Sequence, residues 1–122
     1  MWNQDDYTPG IPIYLQIIEK IKAKIVSGEW RAGDRVPPVR ELSLSFGVNP
    51  NTMQRSLSEL EREGLLYSER TAGRFVTADE NRIAALRREA AGLSVARCLD
   101  YLKGLGLEEE EIRAFFEEGL HS

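Results

Sequence analysis

Residues 37–66, PPVRELSLSFGVNPNTMQRSLSELEREGLL, decide the fold. In the first half Val39, Leu42 and Phe46 share one helical face. Pro37–Pro38 suits a first helical turn, and Gly47 suits the residue after a last one. A second helix starts almost at once. Asn49 is an apt N-cap and Pro50 an apt first residue, and Met53, Leu57 and Leu60 then recur at helical spacing until Gly64 stops them. Two helices on so short a joint predict a helix-turn-helix, whose second helix can lie in a DNA major groove with its N-terminal residues at the base edges.

The second helix has a polarity that suits this use. Asn51, Thr52, Gln54 and Arg55 occupy its first turns, with 51, 54 and 55 on one face through i, i+3 and i+4 spacing. Asn and Gln match adenine, Arg matches guanine, and a Thr methyl can touch thymine. Glu59, Glu61 and Glu63 follow, where carboxylates would be repelled by phosphate, so the helix is expected to leave the groove there. An ordinary amphipathic surface helix is the alternative. Arg40 stands in the first turn of the preceding helix, where a cation opposes the helix dipole. A phosphate would explain it, and so would a salt bridge to Glu41 or another neighbour.

Working outward, Tyr14, Ile18, Ile21 and Ile25 predict a helix over 11–26 closed by Ser27–Gly28. Trp30, in the turn-rich EWRAGDRVPP, reads as a core plug. After Gly64, residues 65–68 and 74–77 read as two short strands around the turn ERTAG, a hairpin whose tip offers Arg70, Thr71, Gly73 and Arg74. The glycine lets backbone approach DNA closely, and Arg74 is expected at a minor groove or a phosphate. A plain hairpin turn is the other reading. From Asp79 to Leu102 a longer helix is predicted, with Ile83, Leu86, Ala90 and Leu93 in a stripe that drifts through Val95, Leu99 and Leu102. GLGL breaks it, and a last helix over 108–120 carries Ile112, Phe115, Phe116 and Leu120 on one face. Its acidic start, Glu108–Glu111, suits a helix first turn.

The chain has 122 residues, 42% hydrophobic and 30% charged, with a formal net charge of −4. That is one folded domain with a small appendage. The acidity is uneven: residues 1–78 hold ten Lys/Arg and ten Asp/Glu, whereas residues 79–122 hold six against ten. The candidate contact region is therefore not where the negative charge sits. No run approaches the roughly 18 apolar residues of a membrane span. The N-terminus MWNQDDYTPG is unlike a secretory signal, and the single Cys98 cannot form an internal disulfide. Both fit a cytoplasmic protein with no membrane partner. Cys98 is expected to be a small buried residue rather than a sensor, and His121 a frayed terminal one. No Cys, His and carboxylate cluster has metal-ligand spacing and no glycine-rich loop cradles phosphate, so neither cofactor, metal nor enzyme activity is expected.

From PIYLQI through GDRVPPVREL, GVNPNTMQR and LEREGLL to GRFV, residues 12–76 resemble the N-terminal winged helix-turn-helix of GntR-family bacterial transcription regulators. That family uses the arginine of VREL, the start of the second helix of the motif and the wing glycine to hold DNA. The resemblance thus puts these roles on Arg40, on Asn51, Thr52 and Arg55, and on Gly73. With the residues read from chemistry, the candidate DNA-binding set is Arg40, Asn49, Asn51, Thr52, Gln54, Arg55, Thr71, Gly73 and Arg74. One departure concerns the wing, RTAGRF, where Arg74 replaces the small residue more usual before the aromatic. The 44 residues after Ala78 are too few for the large effector domains of other branches, and GLGLEEEEIRAFFEEGL looks like the last helix of the YtrA-type subgroup, in which two C-terminal helices pair subunits.

The expected fold is mainly α with a small β-hairpin: a winged helix-turn-helix over 1–78, then a two-helix dimerisation segment over 79–122. The apolar set Leu86, Leu93, Leu99, Leu102, Ile112, Phe115, Phe116 and Leu120 exceeds what two helices can hide from each other, so a second copy is expected to cover it. Packing on the subunit's own winged helix is the alternative. The implied function is a homodimeric regulator, a repressor, on palindromic double-stranded DNA, with control of transporter genes implied by resemblance alone. A protein–protein interaction module is the rival reading. An unknown small-molecule effector stays open, although so short a segment leaves little room for a typical pocket except between subunits.

Overall fold

In the computed structural model the elements run α1 (Ile13–Val26), α2 (Val39–Phe46), α3 (Pro50–Arg62), β1 (Leu66–Glu69), β2 (Gly73–Val76), α4 (Glu80–Gly104) and α5 (Glu109–Leu120). The structure describes residues 7–122, so the first six residues of the acidic N-terminal stretch read above lie outside the described residues. The chain divides into two compact units, Met1–Leu86 and Arg87–Ser122. The division falls inside α4 rather than at 78/79, because Ile83 and Leu86 are buried in the hydrophobic core of the first unit.

That core is built from the apolar faces of α1, α2 and α3. Ile17, Ile21, Phe46, Met53, Leu57 and Leu60 are almost wholly removed from solvent, and Trp30 packs against them as a plug. Fully burying an aliphatic or aromatic side chain of this kind contributes about 1.5–3 kcal/mol, so these faces dominate the stability of the unit. Ser56 is also fully buried, and its hydroxyl donates to the carbonyl oxygens of Tyr14 at 2.9 Å and Thr52 at 3.2 Å, which ties α3 to the first turn of α1. Before α1, the Tyr7 hydroxyl donates to the Phe46 carbonyl at 2.9 Å, and Gln16 clamps Thr8 through both its amide atoms.

The prolines set two helix starts later than the periodicity suggests. Pro12 and Pro38 lie outside α1 and α2 with extended ψ values of 133° and 151°, and Pro37 is itself disfavoured from helix by the proline that follows it. The strands are displaced by one residue from expectation. Gly73, at φ 105°, pairs with Glu69, and the register runs on through Arg74 opposite Ser68, Phe75 opposite Tyr67 and Val76 opposite Leu66. The segment before α2 extends this hairpin. Val36 N–H donates to Arg74 O and Val76 N–H to Asp34 O, each at 2.8 Å, and Arg35 bridges Phe75. β2 is thus hydrogen-bonded along both edges.

In the second unit the remainder of α4 turns at Gly106 (φ 90°) into α5. Glu108 caps α5 reciprocally with Glu111, and the Arg113 guanidinium, hydrogen-bonded to Glu109 at 2.8 Å, holds that carboxyl below its usual value. Every residue from Arg87 to Cys98 is exposed. Cys98 is therefore not the buried small residue expected, because among the described residues nothing covers that stretch of helix. His121 is the C-cap residue of α5, 3.3 Å from a Glu117 oxygen and exposed.

Candidate nucleic-acid interface

The start of α3 is fixed by local chemistry. Gly47 ends α2 in the left-handed region (φ 68°, ψ 38°), which a side chain would strain. Asn49 then takes the N-cap position, its Oδ1 accepting the Asn51 N–H at 2.7 Å, and Pro50 occupies the first helical position. This leaves Asn49, Asn51, Gln54 and Arg55 exposed and Thr52 half-buried. Gln54 makes only a long 3.4 Å bond to Ser58, so its amide is nearly free to bond elsewhere. The Arg55 guanidinium lies 3.7 Å from the centroid of the Tyr14 ring.

The acidic end of α3 has a structural task. Glu61 accepts from Ser68 Oγ and pairs with Arg74 Nη2 at 3.3 Å; Glu63 pairs with Lys22 at 3.0 Å, and its carbonyl takes Arg82. The two carboxylates hold the hairpin and α1 to α3, and the Glu63 carbonyl holds the first turn of α4. The contrast between the two halves of α3 is thus one of use. The first half faces outward with its polar groups available, and the second half docks the helix.

Arg74, expected at a minor groove or a phosphate, is engaged within the fold in the free chain. Its side chain is only 17% exposed, it is paired with Glu61, and its Nε is buried with no hydrogen-bond partner among the described residues. The residue that replaces a small one in the wing is turned inward against α3. Beside the wing glycine the structure places Arg35, which the sequence reading counted only as charge. A β-carbon on Gly73 would lie 3.4 Å from Nε and Nη2 of Arg35, an ordinary contact distance, so the guanidinium sits against the glycine, whose φ of 105° is what a side chain would strain. Arg35 and Arg70 line a cleft of about 490 Å³ with Pro38, Thr71 and Gly73. The wing tip and the lead-in to α2 meet there, two residues from Arg40. Arg35, Arg40, Arg55 and Arg70 are all exposed, and none has a carboxylate partner among the described residues. The signal for Arg35 was its position just before Pro37–Pro38, but its approach to Gly73 spans a sequence separation that no local pattern encodes.

The eight apolar residues assigned to subunit pairing divide in two. Leu86 is buried in the core of the first unit and Ile112 is 4% exposed, so neither offers a free face; each is already covered by its own chain. Leu93, Phe115, Phe116 and Leu120 are exposed, and Leu99 and Leu102 are half-buried. Among the described residues no group of three His, Cys, Asp or Glu could hold a metal ion, and no helix is long and apolar enough to cross a membrane.

Comparison with known proteins agrees with this architecture. The family profile described as bacterial regulatory proteins, gntR family, matches residues 13–76. The uncharacterized HTH-type transcriptional regulator YhcF of Bacillus subtilis is 37% identical over 112 residues, covering 88% of this chain and 93% of that protein. The HTH-type transcriptional repressor YtrA of the same organism is 39% identical over 74 residues, 61% of this chain and 57% of YtrA. Among solved structures, a GntR family transcriptional regulator from Listeria monocytogenes superimposes with a TM-score of 0.84 at 35% identity, over 92% of this chain and 98% of the other. The DNA-binding domain of AraR in complex with operator ORR3 gives a TM-score of 0.52 at 34% identity, over 55% of this chain and 81% of the other. These proteins are regulators of transcription, not enzymes. The chain therefore belongs to the gntR family of bacterial regulatory proteins, with the YtrA-like regulators among its relatives.

Proposed function

We propose that the protein is a homodimeric, sequence-specific repressor that acts in the cytoplasm on a palindromic operator. The observation that carries this reading is the outward half of α3, where Asn49, Asn51, Gln54 and Arg55 stand exposed and free of carboxylates while the acidic half is engaged within the fold. Asn51, Gln54 and Arg55 would read base edges, with the Thr52 methyl beside them and Asn49 at the helix start. Arg40 would hold a phosphate. Thr71 and the backbone at Gly73 would form the wing contact, with Arg35 and Arg70 supplying the cations first assigned to Arg74. Exposed Leu93, Phe115, Phe116 and Leu120 would pair two copies and set the two α3 helices against half-sites about one helical turn apart. Control of transporter genes follows from the YtrA-type resemblance alone.

The test is fluorescence anisotropy of labelled DNA from upstream of the protein's own gene, against a scrambled duplex, at two salt concentrations. Tight binding that prefers the native duplex and weakens as salt rises is expected. Equal, weak binding to both duplexes would move the protein–protein interaction module into first place. Light scattering on the same sample should give twice the 13.8 kDa chain mass, and a monomer at micromolar concentration would remove the dimer from the proposal.

A further inference from the structure

We infer that Tyr14 is a positioning residue for sequence reading: its ring holds the Arg55 guanidinium in the orientation that meets a guanine. The inference rests on the reading of Arg55 as a base-contacting residue. It starts from geometry. Tyr14 belongs to α1, not to the helix-turn-helix, yet its ring centroid lies 3.7 Å from the guanidinium carbon of Arg55. At that distance the two π systems are in contact, and the cation is drawn to the negative face of the ring. The ring is itself fixed. Tyr14 is half-buried against the core, and its carbonyl accepts a hydrogen bond from the fully buried hydroxyl of Ser56, the residue next to Arg55. One anchor therefore sets the spacing between the platform and the arginine it carries.

The arrangement suits a reading arginine for a chemical reason. Stacking occupies the face of the guanidinium but none of its five N–H donors, which lie in the plane and stay available for a bidentate contact to guanine O6 and N7. No carboxylate competes for them among the described residues. An exposed arginine otherwise loses much of its rotamer freedom on binding. A stacked one has lost part of that freedom already. Tyr14 would thus raise discrimination between bases without touching DNA, as a salt bridge could not, because a carboxylate would take the same donors.

The test uses the full chain, a duplex selected from a random pool by the protein itself, and the same duplex with each base pair replaced singly. Tyr14→Leu should reduce preference for the guanine read by Arg55 by about three- to tenfold, leave other positions unchanged, and leave the melting temperature close to that of the parent. Tyr14→Phe, which keeps the ring, should restore the preference. In an Arg55→Ala background Tyr14→Leu should add no further loss. Without DNA, the upfield ring-current shift of the Arg55 δ protons should vanish in Tyr14→Leu and persist in Tyr14→Phe. A uniform loss across all sequences would reduce Tyr14 to a packing residue, and tighter binding by Tyr14→Leu would mean that the stack holds Arg55 away from DNA; either result overturns the inference. If Arg55→Ala itself leaves affinity and preference intact, the base-reading role of Arg55 falls instead.

Discussion

Glu61→Ala is the substitution whose cost follows most directly from the structure. Glu61 accepts from two elements at once, Ser68 on β1 and Arg74 on β2, and both it and Arg74 are largely removed from solvent, at 26% and 17% side-chain exposure. Exposed ion pairs contribute about 0–1 kcal/mol, whereas removing one partner of a fully buried pair costs about 3–5 kcal/mol. This pair lies between those limits. Its single contact is long at 3.3 Å and Arg74 Nε is already unsatisfied, so the low side of the interval applies. The expected loss is about 1–2 kcal/mol, or a fall in melting temperature of roughly 4–15 °C for a unit of this size. The assay is thermal unfolding by circular dichroism at low and high salt. A partly buried pair is screened much less than a surface one, so the loss should survive at 1 M salt. Arg74→Met in the Glu61→Ala background removes the orphaned charge and keeps the stem, and should recover part of the loss. A cost under about 0.5 kcal/mol that disappears in salt would refute the reasoning, since it would show an ordinary surface pair. The same Arg74→Met variant tests the wing. If Arg74 is an internal fastener, the salt slope of DNA binding stays unchanged, whereas loss of a phosphate contact would reduce it by about one.

Other outcomes follow from the same geometry. Arg40→Ala should weaken binding to preferred and random DNA alike and reduce the salt slope of binding in anisotropy titrations by about one. Arg55→Ala should cost about 1–3 kcal/mol on the preferred duplex and relax specificity at one base pair, visible in a panel of singly substituted duplexes. Asn49→Ala removes the side-chain oxygen that accepts the Asn51 N–H at 2.7 Å, and urea unfolding should show a loss of about 0.5–2 kcal/mol. Phe115→Glu, at a side chain that is 56% exposed in the chain itself, should leave the fold intact by circular dichroism and convert the proposed dimer to a monomer by light scattering.

The helices were legible in the sequence because their signals are local. Asn49, Pro50 and the αL Gly47 fix the joint between α2 and α3, and the Met53, Leu57, Leu60 stripe gives the buried face. The hairpin was legible to within one residue. The error came from treating Gly73 wholly as turn, whereas at φ 105° it already pairs with Glu69. What sequence could not give is partnership at a distance. Nothing local says that Arg74 finds Glu61, that Arg35 approaches Gly73, or that Leu86 is claimed by the first unit rather than left for a second copy. The same limit explains the reading of α3. Its acids were read only for their repulsion from phosphate, and no local pattern shows that three of its neighbours use them as docking points. Cys98 failed for the opposite reason: small apolar residues on a helix stripe are usually covered, and here none of the described residues does so.

The hydrogen bonds on the outer edge of β2 have a mechanical consequence. A free two-stranded hairpin is marginally stable in water and would swing on its own turn. Here Val36 N–H donates to Arg74 O and Val76 N–H to Asp34 O, so the wing cannot open without pulling at the segment that launches α2. The two belong to one cooperative unit and should open together or not at all. The reach from wing tip to α2 is therefore a fixed length rather than a variable one, and in the proposed complex DNA of the wrong groove width would have to deform to meet both.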